Sequence, residues 1–161
     1  MSKMKVAVIG GSSWGGWIAL KLLEAGLDVT VVEPGNAGHE LSGSGGYSRI
    51  IRATYGGDAT YAEMVSLAFR EWQEYSQKWR TQLIQNTGQL WLFREAPNYA
   101  RRSLPQMQQY GHVLEEWSIA EVRRRYPAFF LDDIRYAFFE PGAGFIAASD
   151  ACLQVQQQVI K

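Results

Sequence analysis

Val6-Ala7-Val8-Ile9-Gly10-Gly11-Ser12-Ser13-Trp14-Gly15 joins a short β-branched run to a glycine-rich turn. A continuous apolar run without alternation is what a strand buried on both faces of a parallel sheet requires. After the turn, Trp17, Ile18, Leu20, Leu22 and Leu23 recur at near-helical spacing, and Gly26 stands where a left-handed helix cap belongs. Val29-Thr30-Val31-Val32 then predicts a second buried strand, closed by Glu33 and stopped by Pro34-Gly35. Strand, helix and strand within about 30 residues predict a βαβ crossover, and with it an α/β fold built on a Rossmann-like unit.

The turn Gly10-Gly11-Ser12-Ser13-Trp14-Gly15 occupies the place of the G-x-G-x-x-G dinucleotide fingerprint. In that fingerprint the first glycine makes the tight turn, the second lets backbone approach a pyrophosphate, and the third lets helix and strand pack closely. Ser12 stands at the middle position and narrows the approach by one small side chain. Its hydroxyl is able to donate to a phosphate, and the helix start still offers free N–H groups. Glu33 ends the second strand 23 residues after Gly10, where an acid receives the ribose hydroxyls of an adenosine and repels a 2′-phosphate. A turn without any ligand and a solvated strand-end glutamate are the plain alternatives. A P-loop would need Lys and Ser or Thr where Gly16 and Trp17 stand.

In bulk the chain is ordinary. Its 161 residues are 47% apolar and 20% charged, which sets aside disorder, collagen and coiled coil. Sixteen basic against sixteen acidic side chains give a formal net charge of zero, so no overall field draws in nucleic acid or an acidic membrane. The basic start Met1-Ser2-Lys3-Met4-Lys5 is followed by an apolar stretch that Gly10 to Gly16 break, so no export signal is expected. Lys21 and Glu24 interrupt the best apolar run short of the roughly 20 residues a membrane span needs. With Cys152 as the one cysteine, neither an internal disulfide nor a zinc cluster is expected, and a reducing cytoplasm fits best. His39 and His112 lack partners at ligand spacing, so no metal site is expected.

Further along, Tyr61 to about Ile84 predicts the longest helix, with a stripe of Met64, Leu67, Ala68, Trp72, Tyr75 and Trp79. Gln89 to Phe93 and Ile134 to Phe139 predict strands, and Asn98 to Gly111 a polar helix. Ser118 with Glu121 forms a capping-box pattern before a short helix that Pro127 ends. Ser149 or Asp150 is the expected cap of a last helix through Val159. Arg123-Arg124-Arg125, beside Glu115, Glu116 and Glu121, predicts a solvated face rather than a nucleic-acid site.

The glycine- and serine-rich stretch after Pro34 ends in Ser48-Arg49-Ile50-Ile51-Arg52, unlike a linker. Forked, permanently charged guanidinium groups there suit a substrate carboxylate or the electron-rich edge of a reduced cofactor, with two surface arginines as the alternative. Taken with Val6 to Gly15 and Glu33, the run Ser48 to Gly56 resembles the FAD-dependent amine and amino-acid oxidoreductases of the D-amino-acid-oxidase superfamily, in particular its monomeric sarcosine oxidase and N-methyltryptophan oxidase group. Thr87-Gly88-Gln89-Leu90 and Glu140-Pro141-Gly142-Ala143-Gly144-Phe145 resemble the same group, so the likeness extends over nearly the whole chain.

The resemblance implies FAD bound with its pyrophosphate over Gly10, Gly11, Ser12, Ser13, Trp14 and Gly15 and its ribose on Glu33, with further contacts from Gly43, Ser44, Ser48 and Arg49. It places Arg49 beside the flavin ring and pairs Arg52 with the carboxylate of a small amine or amino-acid substrate. Hydride transfer from the carbon next to the amine is the implied chemistry. It also divides the chain into 1–86 as part of an FAD-binding domain, 87–145 as part of a mixed-sheet substrate domain, and 146–161 as a return helix. Gly45 stands where sarcosine oxidase has a histidine, and family members are far longer, so the likeness is to an N-terminal part. Two rivals follow: a catalytically inactive fragment or nucleotide-binding module, whose open sheet edge favours self-association or a completing chain, and an NAD-dependent dehydrogenase domain. The Ser48 to Gly56 run favours the flavin reading over the last.

Overall fold

The structure, a computed structural model, describes residues 3–160. Met1 and Ser2, part of the basic start discussed above, lie outside the described residues, as does Lys161. The elements are β1 (Lys5–Ile9), α1 (Ser13–Glu24), β2 (Asp28–Val32), β3 (Ser48–Ile51), α2 (Ala59–Trp79), β4 (Ile84–Gln85), β5 (Gln89–Phe93), α3 (Asn98–Gln109), β6 (Glu115–Trp117), α4 (Ile119–Arg125), β7 (Tyr136–Glu140), β8 (Gly144–Ala147) and α5 (Ala148–Val159). Strands pair in the orders β1-β2, β3-β8-β4 and β5-β7-β6. Contacts gather the chain into two compact units: residues up to Arg49 together with those from Ile146 on, and Ile50–Phe145.

In the first unit β1 and β2 are parallel, Val6 opposite Val29 and Ile9 opposite Val32, with α1 as the crossover. The helix ends in a Schellman turn: Gly26, at φ +84°, donates to Leu23 O, and Leu27 N reaches back to Leu22 O. Expectation and structure part over burial. The apolar runs predict strands covered on both faces, yet Ile9 is 79% and Val32 53% exposed, because the described residues supply this sheet with two strands only. Among the described residues no helix is long and apolar enough to cross a membrane.

In the second unit α2 starts earlier than its periodicity suggests, because the Asp58 carboxylate accepts from the Thr60 and Tyr61 amides as an N-cap. It ends at Trp79, where Arg80 turns left-handed at φ 54°. Its buried residues are Ala62, Val65, Phe69 and Tyr75, whereas Met64 and Leu67 of the expected stripe are 48% and 50% exposed. Tyr75 of that stripe is buried, with the Trp79 ring 4.7 Å from its own, so the expected face holds in the second half of the helix, whereas in the first half packing selects the neighbouring row of Ala62, Val65 and Phe69. The sheet β5-β7-β6 is antiparallel, with Gln89 opposite Glu140, Leu90 opposite Phe139 and Trp91 opposite Phe138. One face, with Leu90, Leu92 and Ala137, packs on Val122 and Leu131. Alternation therefore turns Trp91, Phe138 and Glu140 to the opposite face. The Ser118 side chain caps α4 by accepting from Glu121 N at 3.1 Å. Glu121 takes hydrogen bonds from Arg124 and Arg125, which hold its carboxyl down at about 2, and Arg123 pairs with Asp132.

The cap expected at Ser149 or Asp150 is a further correction. Helix α5 begins at Ala148, after Ala147 and without a side-chain cap, because the Ser149 hydroxyl is engaged with the carbonyls of Gly38 and Gly46, each at 2.9 Å.

Candidate functional site

The first unit carries a crevice at the carboxyl ends of β1 and β2. Gly10 N donates to Val32 O at 2.8 Å, which ties the strand ends together. Gly10 takes φ +92°, open only to glycine at low cost, and nothing lies within 4 Å in front of it. A Cβ on Gly15 would collide with the Gly10 carbonyl, so helix and turn meet here only because that position is bare. At the start of α1, the Trp14 and Gly15 amides have no partner among the described residues. Trp14 itself is 77% exposed.

Glu33 turns into this crevice. One carboxylate oxygen accepts from Gly11 N, and the other lies 3.5 Å from His39 Nε2. Leu41 N donates to His39 Nδ1 at 3.2 Å, which leaves the ring proton of the neutral imidazole on Nε2, facing Glu33. A carboxylate has about four lone-pair positions, so sites remain for two hydroxyl donors. Gly11, Gly16, Val31, Glu33 and Gly35 line a cavity of ≈ 180 Å³ together with Gln156 of α5. Sequence reasoning missed His39 and Gln156, because their approach depends on tertiary packing and no local pattern marks it.

The loop between β2 and β3 closes over the turn. Gly38 N donates to Ser12 Oγ and Ser13 N to Ser44 Oγ, both at 3.2 Å, so the middle serine of the turn holds this loop. Arg49 folds back on its own loop, its Nη2 donating to Gly45 O at 2.7 Å and Gly43 O at 3.2 Å, and its Nη1 to Ser48 O at 2.8 Å. Gly43 is open, with nothing within 4 Å of a would-be Cβ. At Gly45 a side chain would run into the His39 carbonyl, so a histidine would not fit this backbone. Burial pushes the Cys152 thiol up, against the opposing influence of the Ser44 hydroxyl and the Arg49 charge.

Arg52 belongs to the second unit. Its guanidinium stands 4.8 Å from the ring centres of both Tyr55 and Trp91 and 6.0 Å from that of Tyr99. Nη1 donates to Thr54 O at 2.6 Å and lies 3.4 Å from the Tyr99 hydroxyl, while Nε and Nη2 have no partner among the described residues. A flat cation held by ring faces and left without a carboxylate is suited to binding an external anion. None of the three rings was singled out in the sequence, since Tyr55, Trp91 and Tyr99 sit on a loop, a strand and a helix.

Crevice, acid and loop together fit an adenine dinucleotide: an open Gly10, two free amides at a helix start, and a carboxylate at Gly11 N. The model of the DAO family, described as FAD dependent oxidoreductase, matches residues 5–161. The N-methyl-L-tryptophan oxidase of Yersinia pestis is 27% identical over 139 residues, which are 86% of this chain and 38% of that protein. Among solved structures, L-proline dehydrogenase from P. horikoshii superposes on 99% of this chain and 42% of its own, with TM-score 0.82 and 21% identity. Glycine oxidase from Bacillus cereus covers 98% of this chain and 44% of its own, with TM-score 0.69 and 18% identity. At that identity the two structures speak for the fold alone, and the chain spans about two fifths of the length of the relatives it matches. With the family model spanning nearly every residue of a chain that carries the glycine turn and its facing acid, the protein belongs to the FAD-dependent oxidoreductase (DAO) family.

Proposed function

We propose that this chain is the N-terminal, FAD-binding portion of an oxidoreductase that oxidises the C–N bond of a small amine or N-alkyl amino acid. The observation that carries the reading is the Glu33 carboxylate directed at Gly11 N across the mouth of the glycine turn. In this reading the unpartnered amides of Trp14 and Gly15 face the pyrophosphate, beside Gly10 to Ser13. Glu33 takes the ribose hydroxyls, and Gly43, Ser44, Ser48 and Arg49 line the cofactor further along. Arg49 shapes that lining through the loop carbonyls it gathers. FAD, when bound, supplies the acceptor for the hydride that leaves the carbon next to the substrate amine.

Arg52 binds the substrate carboxylate with Nε and Nη2, and Tyr55, Trp91 and Tyr99 keep its plane fixed and water away from its faces. Apart from Arg52 and Tyr55, residues 1–86 then serve the cofactor, 87–145 the substrate, and 146–161 return to the cofactor side. A reducing cytoplasm is the proposed compartment, with self-association or a completing chain covering the exposed strands. The rival reading is a nucleotide-binding piece without catalysis of its own, which would need the glycine turn and Glu33 but not Arg52.

The test is to purify the chain, record its visible absorption, and add FAD or NAD. FAD binding, with the bound flavin spectrum perturbed by N-methyl-L-tryptophan but not by its methyl ester, and that perturbation lost in Arg52→Met, supports the proposal. FAD binding without any response to the amino acid leaves the nucleotide-binding piece. Indifference to FAD contradicts both.

A further inference from the structure

Beneath Arg52 lies an acid that the proposed reaction does not use. Glu140, the last residue of β7, is 2% exposed, and its two carboxylate oxygens accept from Ala53 N and from the Thr54 hydroxyl, the latter at 2.5 Å. A carboxylate this deep is costly unless every oxygen is satisfied. Here the satisfaction comes from neutral donors of one loop rather than from a cation. Thr54, itself fully buried, returns the constraint to the arginine, because its carbonyl accepts from Arg52 Nη1 at 2.6 Å and from the Tyr99 hydroxyl at 3.3 Å. The same loop is fastened downstream, where Gly56 N donates to Ser103 Oγ of α3 at 2.7 Å.

We infer that Glu140 is a positioning residue for Arg52, acting through Thr54. The buried acid fixes the Ala53-Thr54 backbone, the Thr54 carbonyl then fixes one guanidinium nitrogen, and the rings of Tyr55 and Trp91 fix the plane. An acid that paired directly with Arg52 would consume its charge, whereas one that grips the neighbouring amide and hydroxyl leaves Nε and Nη2 free. The use of that freed edge for a substrate carboxylate rests on the proposed function above; the positioning itself does not.

The experiment reads the arginine directly in the full chain. Hindered rotation of the Arg52 guanidinium about Cζ–Nε is followed by nitrogen-15 NMR, with the signal assigned by its loss in Arg52→Lys. Glu140→Gln keeps an acceptor for Ala53 N and turns its amide to the Thr54 oxygen, and Thr54→Ser keeps the hydroxyl, so both retain slow rotation. Glu140→Met and Thr54→Val break the relay and speed rotation by about tenfold, the equivalent of one lost hydrogen bond. In those two variants the preference for N-methyl-L-tryptophan over its methyl ester falls in parallel. Slow rotation in folded Glu140→Met and Thr54→Val overturns the inference. So does failure of both to fold, which makes the pair an anchor of the fold and nothing more. Faster rotation in a protein whose wild type never distinguishes acid from ester sustains the positioning and refutes the carboxylate reading alone.

Discussion

Two strand-end acids do different work in this chain. Glu33 faces an open crevice with lone pairs to spare, and Glu140 is sealed with both oxygens occupied. The first was legible, because its distance from Gly10 is set by the length of a crossover. The second was not, since Glu140-Pro141-Gly142 reads as a strand break and nothing local announces that the acid points inward. Gly15 was legible as well, and Gly15→Ala is expected to destabilise the chain by about 1 to 3 kcal/mol through overlap with the Gly10 carbonyl. Urea unfolding measures this; an unchanged midpoint would show that α1 does not pack on the turn. His112 gives a pH dependence. Burial lowers its pKa below 6.5 despite the nearby Glu140, and its Nε2 meets Ser66 Oγ at 2.8 Å. The fold thus prefers the neutral ring, and the unfolded chain binds the extra proton. Stability is whole above the unfolded value of about 6.5 and declines as pH falls through the window down to the lower folded value. His112→Gln should flatten that decline in denaturation midpoints taken between about pH 7.5 and 5.5.

At the level of elements, the strand and helix sequence was largely readable from periodicity, with α1, β2, β5 and α3 close to their expected spans. What escaped were the short pieces β3, β4, β6 and β8, whose two to four residues carry too little pattern to separate from loop. The face of the first half of α2 escaped for another reason: exposed Met64 and Leu67 extend the apolar pattern beside the buried row of Ala62, Val65 and Phe69. Its start is set by Asp58, and Asp58→Ala should cost about 1 kcal/mol by leaving the Thr60 and Tyr61 amides uncapped. At its other end Arg80 adopts a left-handed backbone that favours glycine, so Arg80→Gly is expected to raise the melting temperature, by roughly 1 kcal/mol of stability. A lower melting temperature would mean that the Arg80 side chain outweighs its backbone strain.

At the largest scale, the sequence points to strands made for burial, and in the two-stranded sheet of the described residues Ile9 and Val32, paired across the strands, share an exposed face. Such a surface predicts concentration-dependent self-association by sedimentation, reduced by Ile9→Lys, which places a charge on the open face. The central claim is that the βαβ turn and Glu33 hold FAD. Its most direct measurement is titration of the chain with FAD, following tryptophan fluorescence, which exposed Trp14 beside the turn makes sensitive to an occupied crevice. The account predicts saturable quenching by FAD and not NAD, with affinity weakened by about 1 to 3 kcal/mol in Glu33→Gln as charged hydrogen bonds are lost. Equal affinity in the wild type and Glu33→Gln, or no response to FAD at all, would contradict it.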